Sequence, residues 1–364
     1  MLALIGFIVA IAYWPQVSGS ATTPRWAAMA FLLPLVLVFT DKLRITWAHI
    51  FGLLFISWAV LTYAWSDSPQ DTVGSSWYLL MIGCAFCLGA EAKTLKPVYM
   101  AMAAGLAVSS FVMIFQIPAG VNMPVEVLGF PVWEFSGPAG LFVNRNFFAE
   151  ICALVLVGLV AHRLWWWTPF VLPAMIVTEA RGAILAAVTA LTAWIWSRSR
   201  LAAIGLLVAG CASLALVRGG PLNDTGLIRV KTWGPVIEAT TVLGHGLGSY
   251  FVSGPELGNG HVEHPHNEFL EYTFEVGWIG AALLAAFLLA LGRAKPSPER
   301  FVLFAVLVEA FFEFPFHEPA TAFLGSLVAG ACAGSLRSVR DSIDLGRNRL
   351  RQWLVNPRLS GIHS

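Results

Sequence analysis

The chain of 364 residues is 57% hydrophobic and only 12% charged, where a soluble domain carries roughly 25% charged residues. A net charge of +1 gives no electrostatic footprint for nucleic acid, and too little polar sequence remains for a separate soluble domain. Fifteen Trp and 25 Phe suit a protein that meets lipid along its length and water at its ends.

A spanning helix takes about 20 apolar residues, fewer where neighbours cover its ends. Apolar runs between polar breaks predict spans near residues 2–14, 26–40, 46–65, 77–90, 97–116, 146–161, 164–178, 181–196, 201–217, 268–291, 301–316 and 319–336. The expected fold class is therefore all-α, a polytopic membrane protein of about twelve transmembrane helices. The first run has no basic n-region, so it reads as a retained helix. Three regions follow: N-terminal helices over 1–140, a core transmembrane region over 141–336, and a basic tail over 337–364. The five cysteines lie in apolar stretches, and the C-x-x-C of Cys84 and Cys87 lacks the polar company of a zinc or redox site, so no disulfide is expected.

An even number of spans puts both termini on one side, and the arginine-rich tail makes that side the cytoplasm. The same side then receives Lys42, Arg44, Lys93, Lys96, Arg163, Arg198, Arg200, Arg293, Lys295 and Arg300. Of the 22 Lys and Arg, Arg25, Arg145, Arg181, Arg218, Arg229 and Lys231 are left for the outer side. Two outer loops are long, 117–145 and 218–267, and loops of that length are usually functional. A short helix is expected within the second, near 228–241.

The strongest concentration of chemistry is HVEHPHNEFLEYTFEVGWIG, residues 261–280. His261, His264 and His266 close the large loop, Glu263 lies among them, and Glu268, Glu271 and Glu275 follow on one helix face. The residues alone leave three readings open: a solvated interfacial loop, a general base of suitable pKa, or a metal site. H-x-x-H-x-H on an irregular loop is not a zinc spacing, so no metal is expected. The GHGLGS stretch, 244–249, lacks the strand and Lys-Ser/Thr of a nucleotide-binding loop and reads as a tight turn. Asn144 and Asn146 offer either glycan contacts or a cap for the helix near 146. Glu309 and Glu313 are a turn apart, with Glu309 well inside an apolar run.

His266, Asn267, Gly277 and Gly280 give H-N-x9-G-x-x-G, which resembles the signature of the O-antigen ligase and O-antigen polymerase superfamily. GLIRVKTWGPVIEATTVLGHGLGSYF (226–251), FVNRNFFAE (142–150) and TEARGA (178–183) are similar to further blocks of that family, in the same order. The resemblance covers roughly residues 140–290; the first 130 residues match only in hydropathy. It implies a GT-C-like fold with a periplasmic loop region in the bacterial inner membrane. It also implies transfer of a glycan from an undecaprenyl-diphosphate carrier to a lipid A core or another glycan, within lipopolysaccharide or polysaccharide biosynthesis. The partners it implies are that donor, the acceptor and membrane lipids. In this expectation His266 is the base, Arg181 and Arg229 face the pyrophosphate, and no cofactor is needed. Glu263 and Glu268 orient the imidazole, with Asn267, Arg145 and Asn146 in support. The rival from another class is a proton-coupled transporter or a lipid-linked glycan flippase; against it stand the missing two-fold repeat and the outward bias of the polar residues.

Overall fold

The computed structural model describes residues 1–16, 21–40, 43–117, 125–127, 130–132, 137–216, 224–257, 260–261 and 263–340. Helix dominates: α1 (Leu2–Ile11), α2 (Thr22–Val38), α3 (Trp47–Leu61), α4 (Pro69–Glu91), α5 (Lys96–Gln116), α6 (Arg145–Ala161), α7 (Leu172–Val177), α8 (Arg181–Trp196) and α9 (Arg200–Leu216) come first. They are followed by α10 (Asp224–Ala239), α11 (Tyr250–Ser253), α12 (Glu268–Leu291), α13 (Pro298–Phe312) and α14 (Pro319–Gly334). The described strands form two small antiparallel hairpins, β1 (Val125–Val127) with β2 (Phe130–Val132) and β3 (Glu256–Leu257) with β4 (Gly260–His261).

Among the described residues, four helices are long and apolar enough to cross a membrane by themselves: α3 with its 3-10 extension to Trp65, α4, α5 and α12. Five shorter apolar helices accompany them: α1, α2, α8, α9 and α14. The segment expected as a span at 164–178 is not one helix. It is a 3-10 turn over Trp165–Phe170 followed by the six residues of α7. Pro169 and Pro173 remove the amide hydrogens that a continuous helix would need there.

Burial orders the bundle. From Phe148 to Ala161 every residue of α6 is buried, and α14 is buried from Pro319 to Gly330, so these two helices form the centre. α14 packs most extensively on α4, where Gly89 meets the Leu327 carbonyl and Gly330 meets the Phe86 carbonyl so closely that a Cβ at either would collide. Such small-residue contacts let helix backbones approach without a hydrophobic driving force. The outer helices turn large apolar side chains outward, with Phe31 81% and Leu201 82% exposed. A surface of that kind is stable against hydrocarbon and not against water.

The loops sort to two ends. At one end the Arg44 amide donates to Glu91 (2.9 Å), the Lys295 amide to Ser335 Oγ (3.0 Å), and His162 pairs with Glu299 (3.0 Å). These contacts gather the loops that carry most of the basic residues. At the other end lie the starts of α6, α8, α12 and α14 and the expected chemistry. Arg25, expected among the outer cations, lies at this second end but is not exposed there. It is fully buried between helices, donating to the carbonyls of Val9 (2.7 Å) and Leu141 (3.1 Å) and pairing with Glu318 at 3.5 Å. Its guanidinium also lies 3.8 Å over the Phe142 ring.

Candidate functional site

The loop before α12 ends in His264-Pro265-His266-Asn267. Asn267 is the N-cap of α12: its side-chain oxygen accepts from the Leu270 amide at 3.1 Å. His266, just before it, adopts a left-handed backbone with φ 50°. A non-glycine residue pays a strain there that persists only where surroundings over-determine it, and such strain concentrates at functional sites. The surroundings here are explicit. Trp233 of α10 donates its indole N–H to the Pro265 carbonyl at 3.0 Å, and the Glu268 amide donates to the Glu313 carbonyl at 3.2 Å.

Two imidazoles then point to different carboxylates. His266 Nδ1 lies 2.9 Å from Glu313 Oε2, with the histidine side chain 30% and the carboxylate 7% exposed. A carboxylate only accepts, so Nδ1 carries the hydrogen and Nε2 keeps its lone pair. Glu313 also lies beside the start of α8: a Cβ on Gly182 would sit 3.5 Å from Glu313 Cγ. The site therefore joins the His266 loop, the end of α13 and the residue next to Arg181.

His264 points instead to α12, its Nδ1 2.8 Å from Glu271 Oε1. His317, in the turn between α13 and α14, reaches the same oxygen with Nε2 at 3.4 Å and lies 3.3 Å from Glu268 Oε1 with Nδ1. Burial alone pulls the His317 pKa down, but the carboxylates of Glu271 and Glu268 outweigh it and hold it up at about 10. Phe314 separates the two groups, with ring centroids 4.4 Å from His264 and 5.4 Å from His266.

Several expectations change at this point. Glu268 does not orient His266. It occupies the first turn of α12, where its carboxylate accepts from the Phe316 amide (3.2 Å) and faces His317. Glu263 is exposed and makes no ion pair among the described residues. The orienting carboxylate is Glu313, 47 residues further along. The cap expected for the helix near 146 is present: Asn144 is the N-cap of α6 and accepts from the Asn146 amide at 2.8 Å. Arg145 lies along Gly137, whose Cβ would meet its Cδ at 3.5 Å. Arg181 opens α8 and is half-buried. Arg229 belongs to α10 one helical turn before Trp233, and its side chain lies outside the described residues, as do the His261 side chain and Arg218.

The glycines of the motif have a structural task. Gly277 interrupts α12 with φ 70° and ψ −179°, a conformation essentially confined to glycine. The backbone groups freed by this kink pair with the preceding loop. His245 donates to the Phe274 carbonyl (3.2 Å), Gly246 to Glu275 (2.8 Å), and Trp278 and Ile279 donate to Thr241 and Val242 at 3.3 Å. The GHGLGS stretch is thus a tight turn spliced into α12. His245 pins it further by contacts with Asp67 (2.9 Å) and the Ala239 carbonyl (3.0 Å).

Behind the site, Glu150 of α6 and Glu309 of α13 are buried and have no hydrogen-bond partner among the described residues. Beside it lies an apolar cavity of about 400 Å³ between α3, α4, α12 and α14, lined by residues such as Phe55, Ile56, Leu80 and Phe287. Tyr272 and Phe316 also line it, next to Glu271 and His317 respectively. The assembled features are an imidazole with a free ring nitrogen, a carboxylate behind it, a neighbouring arginine-bearing helix start and an adjoining hydrocarbon cavity. No protein family's sequence profile matches this chain, and no curated protein is similar to it.

Proposed function

We propose that the protein is a membrane glycosyltransferase of the O-antigen ligase or polymerase type, moving a glycan from an undecaprenyl-diphosphate carrier to an acceptor hydroxyl at the periplasmic face of the bacterial inner membrane. The observation that carries this reading is the His266–Glu313 pair at 2.9 Å, held by a strained backbone at the mouth of the bundle. In the reaction, His266 Nε2 takes the proton of the acceptor hydroxyl as its oxygen attacks the anomeric carbon. The bond between that carbon and the phosphate oxygen breaks, and the configuration inverts. Glu313 fixes the imidazole tautomer and balances the imidazolium that forms. The pyrophosphate leaves toward Arg181 and Arg229, whose permanent charge and forked donors suit it without a metal in the chemical step. The apolar cavity takes part of the prenyl chain, and the basic end of the bundle faces the cytoplasm.

The test is transfer by purified variants from an undecaprenyl-diphosphate glycan, with expression and melting measured alongside. His266→Ala is expected to lower turnover about 10²–10⁴-fold, the range of a positioned base. Arg181→Ala and Arg229→Ala weaken donor binding as well as turnover. Near wild-type turnover in His266→Ala refutes the assignment. A second reading, a proton-coupled transporter, has one observation in its favour: the buried, unpartnered Glu150 and Glu309. It predicts proton-driven uptake into vesicles that is lost in Glu309→Gln, which the transferase reading does not.

A further inference from the structure

We propose that His264, Glu271 and His317 form a binding site for one divalent transition-metal ion of the zinc class. Each of the three residues offers one ligand atom, and these three atoms all lie within 4.8 Å of one another. Glu271 Oε1 is 2.8 Å from His264 Nδ1 and 3.4 Å from His317 Nε2. Ligands about 2.0–2.1 Å from a tetrahedral ion are roughly 3.3 Å apart, so the cluster needs only small adjustments to close around a metal. Two imidazoles and a carboxylate are the donor set of an open zinc site, in which a fourth position is left for water or a substrate atom.

Two further observations point to a ligand. Glu271 is 2% exposed, yet its second oxygen, Oε2, has no partner among the described residues. An unsatisfied buried carboxylate oxygen is costly, and a cation beside it removes that cost. Glu268, also 2% exposed, stands 3.3 Å behind His317 Nδ1. That is the arrangement in which a carboxylate behind a metal-bound histidine orients the ring and raises its basicity. The site lies across Phe314 from His266, so the ion does not enter the proton transfer. It ties three segments together: the His264–His266 loop, the first turns of α12, and the turn between α13 and α14.

The inference stands apart from the glycosyltransferase reading, and its test reads metal, not transfer. The purified chain in detergent is stripped with chelator, offered Zn²⁺ or Co²⁺, passed through gel filtration and measured for metal content. The expected result is a single ion per chain, with Co²⁺ giving the strong visible absorption of a four-coordinate site. His317→Ala and Glu271→Gln are expected to lose the ion. Glu268→Gln should weaken binding about 10–100-fold, the usual effect of removing the carboxylate that orients a metal-bound histidine. His266→Ala should retain the ion, which separates this site from the proposed base. Wild-type protein that holds no ion and shows no such Co²⁺ spectrum overturns the proposal, a result independent of whether the variants fold. Retention of the ion by both His317→Ala and Glu271→Gln overturns it equally.

Discussion

Replacing Arg25 by Met tests whether the central bundle depends on one buried ion pair. The substitution keeps most of the side-chain volume and removes the charge. Three things are lost together: hydrogen bonds to the Val9 and Leu141 carbonyls at 2.7 and 3.1 Å, the pair with Glu318 at 3.5 Å, and the cation over Phe142 at 3.8 Å. Glu318 keeps the amides of Ala320 and Thr321 at 2.6 and 3.1 Å, so it is not wholly orphaned. Each carbonyl stripped of its donor costs about 1–3 kcal/mol, and removal of one partner from a buried pair costs about 3–5 kcal/mol in all. The expected loss is therefore about 3–5 kcal/mol for Arg25→Met. Glu318→Gln keeps a capping oxygen and loses only the charge, so a smaller loss, about 1.5–3 kcal/mol, is expected. In the double variant the two losses should fall short of additive by about 0.5–3 kcal/mol, because the second removal acts on a pair already broken. Unfolding of the detergent-solubilised protein in a denaturant series gives all three values. A loss below about 1 kcal/mol for Arg25→Met, or strict additivity, refutes the idea that this pair joins α1, α2 and α14.

Other outcomes are equally open to measurement. Single cysteines placed in the 218–267 loop should react with a membrane-impermeant thiol reagent from the periplasm, and cysteines in the tail after 337 should not; labelling of the tail reverses the orientation. Gly277→Ala forces a side chain into a conformation costing about 1–3 kcal/mol and against the Val242 carbonyl, so it should lower the melting temperature and expose the 241–249 turn to protease. In chelator-treated protein the raised pKa of His317 contributes stability that is fully present below about pH 6.5 and is lost as pH rises through about 10. Melting should therefore fall between those limits, and the fall should flatten in His317→Gln.

The helical periods and the end-to-end sorting of charge were legible because they are local or additive properties of the chain. A run such as 97–116 reports its own helix, and α5 spans Lys96–Gln116. Prolines set the exception: Pro169 and Pro173 lie within an apolar run whose hydropathy alone suggests a span. The site was half legible. His266 and its glycines stand together in sequence, and Gly277 proves to kink α12 as a glycine-only conformation allows. The carboxylate beside His266 and the second imidazole beside His264 were not legible, because both come from the end of α13 and the turn after it. Glu313 approaches His266 across 47 residues, and His317 joins His264 only through tertiary packing. Spacing within 261–266 therefore could not bring His317 into view. Glu263 and Glu268 were chosen as neighbours in sequence, yet helix geometry turns Glu268 toward Phe316 and His317.

Four helices, α6, α8, α12 and α14, begin at the same end of the bundle as His266. Each start carries roughly half a positive charge from its aligned peptide dipoles. Asn144, Asn267 and Glu318 quench three of these ends with side-chain oxygens, while Ala180 offers α8 no such cap and Glu313 lies beside it at Gly182. The crowding of carboxylates at this end is thereby balanced by the backbone as much as by Arg25, Arg181 and the histidines. A field made by peptide groups has no titration curve, and where it is buried mobile ions do not reach it to screen it. The polarity of this end is consequently a property of the chain path, which persists across pH and ionic strength and which no single side-chain replacement erases.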